Sequence, residues 1–272
     1  MYINTTGLVL RETAYKDSSK ILTVLTGGEG KLTVSARGAL RKNSKLTAVT
    51  QLLSFSDMTL YCSRDRWTLT EARSIEQFIG LRDDIALLAL GAYFAQLAEA
   101  VADEDCPNPE LLPLCLNALF ALSEKIKTPE FVKPAFELRL MAASGFAPLI
   151  ERCHICGSDD PEYAYLDFNG GTIHCGGCGA VSADSGYSKE NSAVPADRYG
   201  ASVCDPEPTG SCELSKGALN AARYVINCDL KKLFSFSLSA ASLRQLSAAT
   251  EGYLLAHLDR CFSTLDFYKE II

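Results

Sequence analysis

Hydrophobic positions change their period once along this chain, near residue 80. Before that point, short runs rich in Thr, Val, Leu and aromatic residues alternate with turn chemistry, the pattern of half-buried strands. They predict strands at Gly7–Leu10, Ile21–Thr26, Lys31–Ala36, Leu52–Tyr61 and Trp67–Ile75. Gly27-Gly28-Glu29-Gly30 joins two of them as a hairpin, because several glycines there take positive φ freely. Ser63-Arg64-Asp65-Arg66 is a second tight turn. Strands this short and this closely spaced suit a small barrel of the OB type, since closure removes exposed edges. An SH3-like barrel competes on pattern alone.

From Asp83 the period becomes helical. Asp83–Glu104 and Pro109–Ile126 are helix candidates. Thr128-Pro129-Glu130 opens a third with an N-cap, a proline at the first helical position and an early acid, and Gly145 ends it. Two more follow at Leu214–Cys228 and Ser239–Phe262, the latter with an apolar stripe of Leu243, Leu246, Tyr253, Leu254, His257, Leu258, Cys261 and Phe262. The run Ile85–Ala102 is interrupted by Gln96 and Glu99, which predicts a buried helix and no membrane span. The expected organisation is α+β multidomain: an OB-type β-barrel at 1–80, an α-helical domain at 81–149 and 214–272, an inserted cysteine module at 150–183, and a polar Gly-, Ser- and Pro-containing loop at 184–213.

Composition adds little until it is divided. The net charge of −7 argues against nucleic acid. Residues 1–80, however, hold 11 Lys/Arg against 7 Asp/Glu, a balance of +4, while the remainder holds 15 against 26, a balance of −11. That asymmetry predicts an anionic partner for the barrel alone. Met1–Leu10 has no basic region or cleavage-type stretch, so no signal peptide is expected.

The most specific chemistry is Cys153-x-x-Cys156 and Cys175-x-x-Cys178, separated by 18 residues, the first followed by Gly157 and the second by Gly179. Each CxxC turn supplies two thiolates from one backbone knuckle, and two knuckles close a tetrahedral zinc shell. The expectation is one structural Zn²⁺ per chain; two disulfides or a redox dithiol are the alternatives. An odd count of 11 Cys, four in a metal pattern, fits a reducing cytosol better than a disulfide framework. Cys62, Cys106, Cys115, Cys228 and Cys261 are expected as buried small apolar residues, and Cys204 and Cys212 as stray thiols. His154 and His174 flank the pairs and are expected at the surface, whereas His257 is expected as a satisfied core residue.

No G-x-S-x-G, H-E-x-x-H or dinucleotide fingerprint occurs, so no enzyme is expected. Gly27–Lys31 has the flavour of a phosphate loop, but Leu32 stands where a Mg²⁺-holding Ser/Thr is needed. The informative polar cluster is Arg37-Gly38-Ala39-Leu40-Arg41-Lys42-Asn43-Ser44-Lys45, which has no acid. Arg11, Lys16, Lys20, Lys31, Arg64 and Arg66 add charge to the same barrel. Such cations neutralise phosphates. Tyr15, Phe55, Tyr61 and Trp67 are potential base-stacking rings, but a barrel this small is expected to use them as core.

Gly7-Leu8-Val9-Leu10, Tyr15, Asp17-Ser18, Lys20-Ile21, Gly30-Lys31 and Ala36-Arg37-Gly38-Ala39 resemble the start of the bacterial DNA repair family RecO. Phe136-Glu137-Leu138-Arg139-Leu140, Gly145-Phe146-Ala147-Pro148 and Cys153-x-x-Cys156-Gly157 resemble its helical-to-zinc junction, and Lys231-Lys232-Leu233-Phe234-Ser235-Phe236 with Leu265-Asp266-Phe267 resemble its tail. The resemblance implies a cytoplasmic, nucleoid-associated mediator that binds single- and double-stranded DNA and anneals complementary strands. It further implies work with RecR to help load RecA onto DNA coated by single-strand-binding protein, whose acidic C-terminal tail it contacts. Mapped by position, the DNA-facing residues would include Lys20, Lys31, Arg37, Arg41, Lys42 and Lys45, and the charge of the same barrel adds Arg11, Arg64 and Arg66 as candidates. A redox protein holding one iron on the four cysteines and a protein–protein adaptor that never touches DNA are the rival readings.

Overall fold

The computed structural model describes residues 1–104, 106–178 and 210–272. The N-terminal strands are β1 (Tyr2–Tyr15), β2 (Ser19–Thr26), β3 (Lys31–Ala36), β4 (Phe55–Ser63) and β5 (Arg66–Glu76), and they close into a barrel in the order β1-β2-β3-β5-β4. All five expected strands are present. β1 is much longer than expected because it serves two neighbours: Tyr2–Leu8 pairs with β4 and Gly7–Tyr15 with β2, with an irregularity between Val9 and Arg11 within the β2 pairing, just past the overlap. Such a bulge bends a strand and sharpens its twist. Gly7 sits where both pairings overlap, and a Cβ there would lie 2.5 Å from Val24 Cγ1. Closure comes from a parallel β3–β5 pair, Val34 with Trp67 and Ser35 with Thr68. Inward residues Val9, Leu22, Val24, Leu32, Val34, Met58, Leu60 and Leu69 fill the interior.

Helices α1 (Ile79–Arg82), α2 (Ile85–Val101), α3 (Leu111–Ser123) and α4 (Pro129–Ala143) follow. Asp84 caps α2 by accepting from the backbone N–H of Ala86 at 2.8 Å and Leu87 at 3.3 Å, satisfying two otherwise orphaned donors. Phe94 stacks on Phe136 at 4.0 Å between ring centroids, joining α2 to α4. Within this core Glu137 accepts from Tyr93 Oη and pairs with Lys133, each at 2.8 Å, so its buried charge is matched. The chain returns to this body through 228–236 and 262–272, and the barrel, α1–α4 and these returns form one compact unit.

The second unit comprises 148–227 and 237–261. Its sheet runs in the order β7-β6-β8, from β6 (Tyr163–Asp167), β7 (Ile173–Cys175) and β8 (Ser211–Ser215). Helices α5 (Lys216–Asn227) and α6 (Ala240–Leu258) belong to it. Several expectations change. The helix expected from Leu214 starts at Lys216, because Leu214 and Ser215 belong to β8. The helix expected to reach Phe262 ends at Leu258, where Asp259 takes a left-handed conformation, and α7 (Ser263–Ile271) begins anew in the first unit. The polar loop expected at 184–213 falls outside the described residues as far as 209, and its last residues, Ser211–Glu213, are strand. Among the described residues no helix is long and apolar enough to cross a membrane.

Candidate metal centre and nucleic-acid interface

The two knuckles converge as their spacing predicts. The sulfurs of Cys153, Cys156, Cys175 and Cys178 all lie within 4.8 Å of one another, and Cys156 Sγ is 3.6 Å from Cys175 Sγ. A tetrahedral zinc with bonds of about 2.3 Å puts its sulfurs about 3.8 Å apart, so the set fits the ion. Backbone geometry holds the shape. His154 N–H donates to Ile173 O at 2.8 Å, tying the first knuckle to β7. Gly157, at φ +75°, closes the first turn by donating to Cys153 O at 2.9 Å.

Cys175 N–H donates to Cys153 Sγ at 3.3 Å. Desolvation pushes the Cys153 thiol up, but backbone N–H groups of Cys156, Cys175 and Ile155 outweigh it and bring it down to about 6. Cys178 moves the other way: the side chains of Cys175 and Cys156 push it up to about 12. Four thiols this close cannot all ionise together without a cation between them, which is the service a metal supplies. His154 is exposed as expected, but His174 is half-buried. Of the remaining cysteines Cys204 lies outside the described residues, Cys115 is buried, Cys62, Cys212 and Cys228 are half-buried, and Cys106 and Cys261 are exposed, so burial does not explain the last two.

The cations of the barrel fall into three environments. Arg37, Arg41, Lys42 and Lys45 are all exposed, and none forms an ion pair among the described residues. Their loop is not loose at its base. Leu40 N–H donates to Ser18 O at 3.0 Å, Thr47 Oγ1 donates to Ala39 O at 3.1 Å, and Ala39 is itself buried in the barrel core. The first of these bonds brings the β1–β2 turn alongside. That turn carries Lys16, whose Nζ lies 5.2 Å from the centre of the Tyr15 ring.

Arg64 and Arg66 are exposed in the β4–β5 turn, where Arg64 and Asp65 both take positive φ. Because β3 and β5 are parallel, the chain leaves their pairing toward Arg37 in one direction and back toward Arg64 in the other. The two basic segments are therefore not one patch.

The third group is engaged internally. Lys20 is 8% exposed, pairs with the Glu12 carboxylate and donates to Thr50 O at 3.3 Å. Its burial corrects the expectation that it faces DNA. Arg11 pairs with Glu99 of α2 at 2.9 Å, and Lys31 Nζ donates to Glu99 O at 2.9 Å. The aromatic residues also divide. Trp67 packs against the barrel core as expected, whereas Tyr15 is 47% and Tyr61 37% exposed, with Lys16 over the first ring and the Tyr2 ring 4.7 Å from the second. The role of Glu99 had no local signal, since it lies far along the chain from its partners.

Residues 1–78 match the family described as recombination protein O N terminal, and residues 82–265 match recombination protein O C terminal. The chain belongs to the RecO family. Similar RecO proteins match it over most of their length. The DNA repair protein RecO of Acetivibrio thermocellus is 29% identical over 270 residues, covering 99% of this chain and 97% of the relative. That of Symbiobacterium thermophilum is 29% identical over 97% of this chain and 95% of its own. That of Exiguobacterium sibiricum is 36% identical over 167 residues, covering 61% of this chain and 67% of its own. This chain thus combines, within the RecO family, a five-stranded barrel followed by helices with a four-cysteine cluster able to hold one metal ion.

Proposed function

We propose that this chain is a non-enzymatic recombination mediator that binds single- and double-stranded DNA and anneals complementary strands. With RecR it helps load RecA onto DNA coated by single-strand-binding protein, whose acidic tail it also contacts, and it acts in the cytoplasm at the nucleoid. The observation that carries this reading is the Arg37–Lys45 loop, whose four cations are exposed and without acidic partners among the described residues, on a barrel of RecO type. Phosphate contacts hold a strand without consuming its base edges, so the bases stay able to find complements. Tyr15, beside the loop, offers a half-exposed ring for one base. Arg64 and Arg66 serve as a secondary contact on the β4–β5 turn, a position from which OB-type barrels reach oligonucleotides.

Cys153, Cys156, Cys175 and Cys178 would hold one structural zinc, which supplies cross-linking and no open coordination position. The test is annealing of complementary strands coated by single-strand-binding protein, with and without its C-terminal tail. The triple variant R37E/R41E/K42E should lose DNA binding and annealing at nearly unchanged thermal stability. Unimpaired annealing by that variant refutes the assignment to the loop.

A further inference from the structure

On OB-type barrels the outer face of the second and third strands is a surface on which oligonucleotides lie. In this chain the C-terminal end of α2 occupies part of it. Arg11 on β1 is the register partner of Thr23 on β2, which faces Thr33 on β3, so this row crosses all three strands. Glu99 Oε1 sits at the row, 2.9 Å from Arg11 Nη2 and 3.5 Å from Thr23 Oγ1. The main chain behind it docks separately. Lys31 Nζ donates to Glu99 O at 2.9 Å, Lys31 N–H donates to Asp103 O at 3.2 Å, and Glu104 bridges Gly30 and Lys31.

These contacts divide the labour. Lys31 anchors the helix end through backbone oxygens, which no change of the Glu99 side chain removes. The Glu99 carboxylate does something else: it neutralises Arg11, whose side chain is 63% exposed, while its own is 24% exposed. A half-exposed pair of this kind is weak and easily exchanged. A phosphate oxygen offers the same charge and the same acceptor geometry to a guanidinium.

We propose that Glu99 is a built-in phosphate mimic. It holds Arg11 in the unliganded protein, and a single strand crossing the β1–β2–β3 face displaces it and takes Arg11 as an additional phosphate contact. This deepens the DNA-binding reading above and rests on it. Every strand must therefore outcompete an acid already in place at Arg11.

The test uses the full chain, a fluorescein-labelled oligothymidylate and anisotropy over a salt series. Glu99→Gln should tighten binding about twofold to fivefold at low salt, the strength of a partly exposed ion pair. Arg11→Gln should make the log affinity against log salt slope shallower by about 0.7, one phosphate on a single strand. The double variant R11Q/E99Q should match R11Q, because the gain belongs to Arg11. Wild-type affinity in E99Q, a wild-type slope in R11Q, or a gain that survives in the double variant each overturns the mimic. A fall in melting temperature of E99Q with no gain in affinity also overturns it, in favour of a purely structural clamp. The two readings fail separately: wild-type protein that does not bind the oligothymidylate sinks both. Binding that R37E/R41E/K42E abolishes and E99Q leaves unmoved sinks only the mimic.

Discussion

Replacing Cys175 with serine removes one of four sulfurs that lie within 4.8 Å of one another, and the consequences can be worked through the second unit. A structural zinc contributes about 10–16 kcal/mol to the folding of small finger modules. The whole stability of an ordinary domain is about 5–15 kcal/mol, so the metal is not a minor term. The strand that carries Cys175 has few side-chain contacts of its own: β7 is three residues long, pairs among the described strands with β6 only, and Ile173 is its one fully buried side chain. Helices α5 and α6 keep their own buried residues, among them Leu219, Val225, Leu246 and Leu254, and should persist.

The expected outcome is therefore local. Cys175→Ser should lose bound metal, measured by elemental analysis, and should lose hydrogen-exchange protection at the amides of His154, Gly157 and Cys175, which donate to Ile173 O, Cys153 O and Cys153 Sγ. Affinity for DNA should stay at the wild-type level, because the barrel lies in the other compact unit. The wild-type protein should be colourless with one equivalent of zinc, since a filled d shell absorbs no visible light. Retention of a full equivalent of metal with unchanged protection in Cys175→Ser refutes the reasoning, and iron with a visible charge-transfer band refutes zinc.

Two further predictions concern the barrel. Lys20→Met should cost about 2 kcal/mol of stability in chemical denaturation, less than a fully buried pair because Glu12 reaches solvent, while DNA affinity stays unchanged. Tyr15→Ala should weaken single-strand binding by about 1–3 kcal/mol, the range for one stacked base, with no shift in melting temperature because the ring is half exposed.

The parts of this protein that were legible in its sequence are those written in short-range chemistry. The five strands stand out because apolar alternation and turn residues recur within a few positions, and the four-cysteine centre because each knuckle spans four residues. The N-terminal half of β1 was hidden: Tyr2, Asn4 and Thr6 are exposed and its identity comes from pairing with β4. The break between α6 and α7 was hidden too, because Asp259 adopts a left-handed conformation with no glycine or proline to announce it. Strand β8 lies at the end of polar text and is defined by its neighbour β6. Charge was legible as a sum over the barrel, but its disposition was not. Lys20 meets Glu12 only through the β1–β2 hairpin, and Arg11 meets Glu99 only after the helix has folded back.

The central claim, that the Arg37–Lys45 loop holds DNA through its phosphates, is tested most directly by the salt dependence of single-strand binding in wild-type protein and in R37Q/R41Q/K42Q. Each neutralised phosphate contributes about 0.7 to the slope of log affinity against log salt, so removing three cations should make it shallower by about 2. Equal slopes for the two proteins would contradict the account.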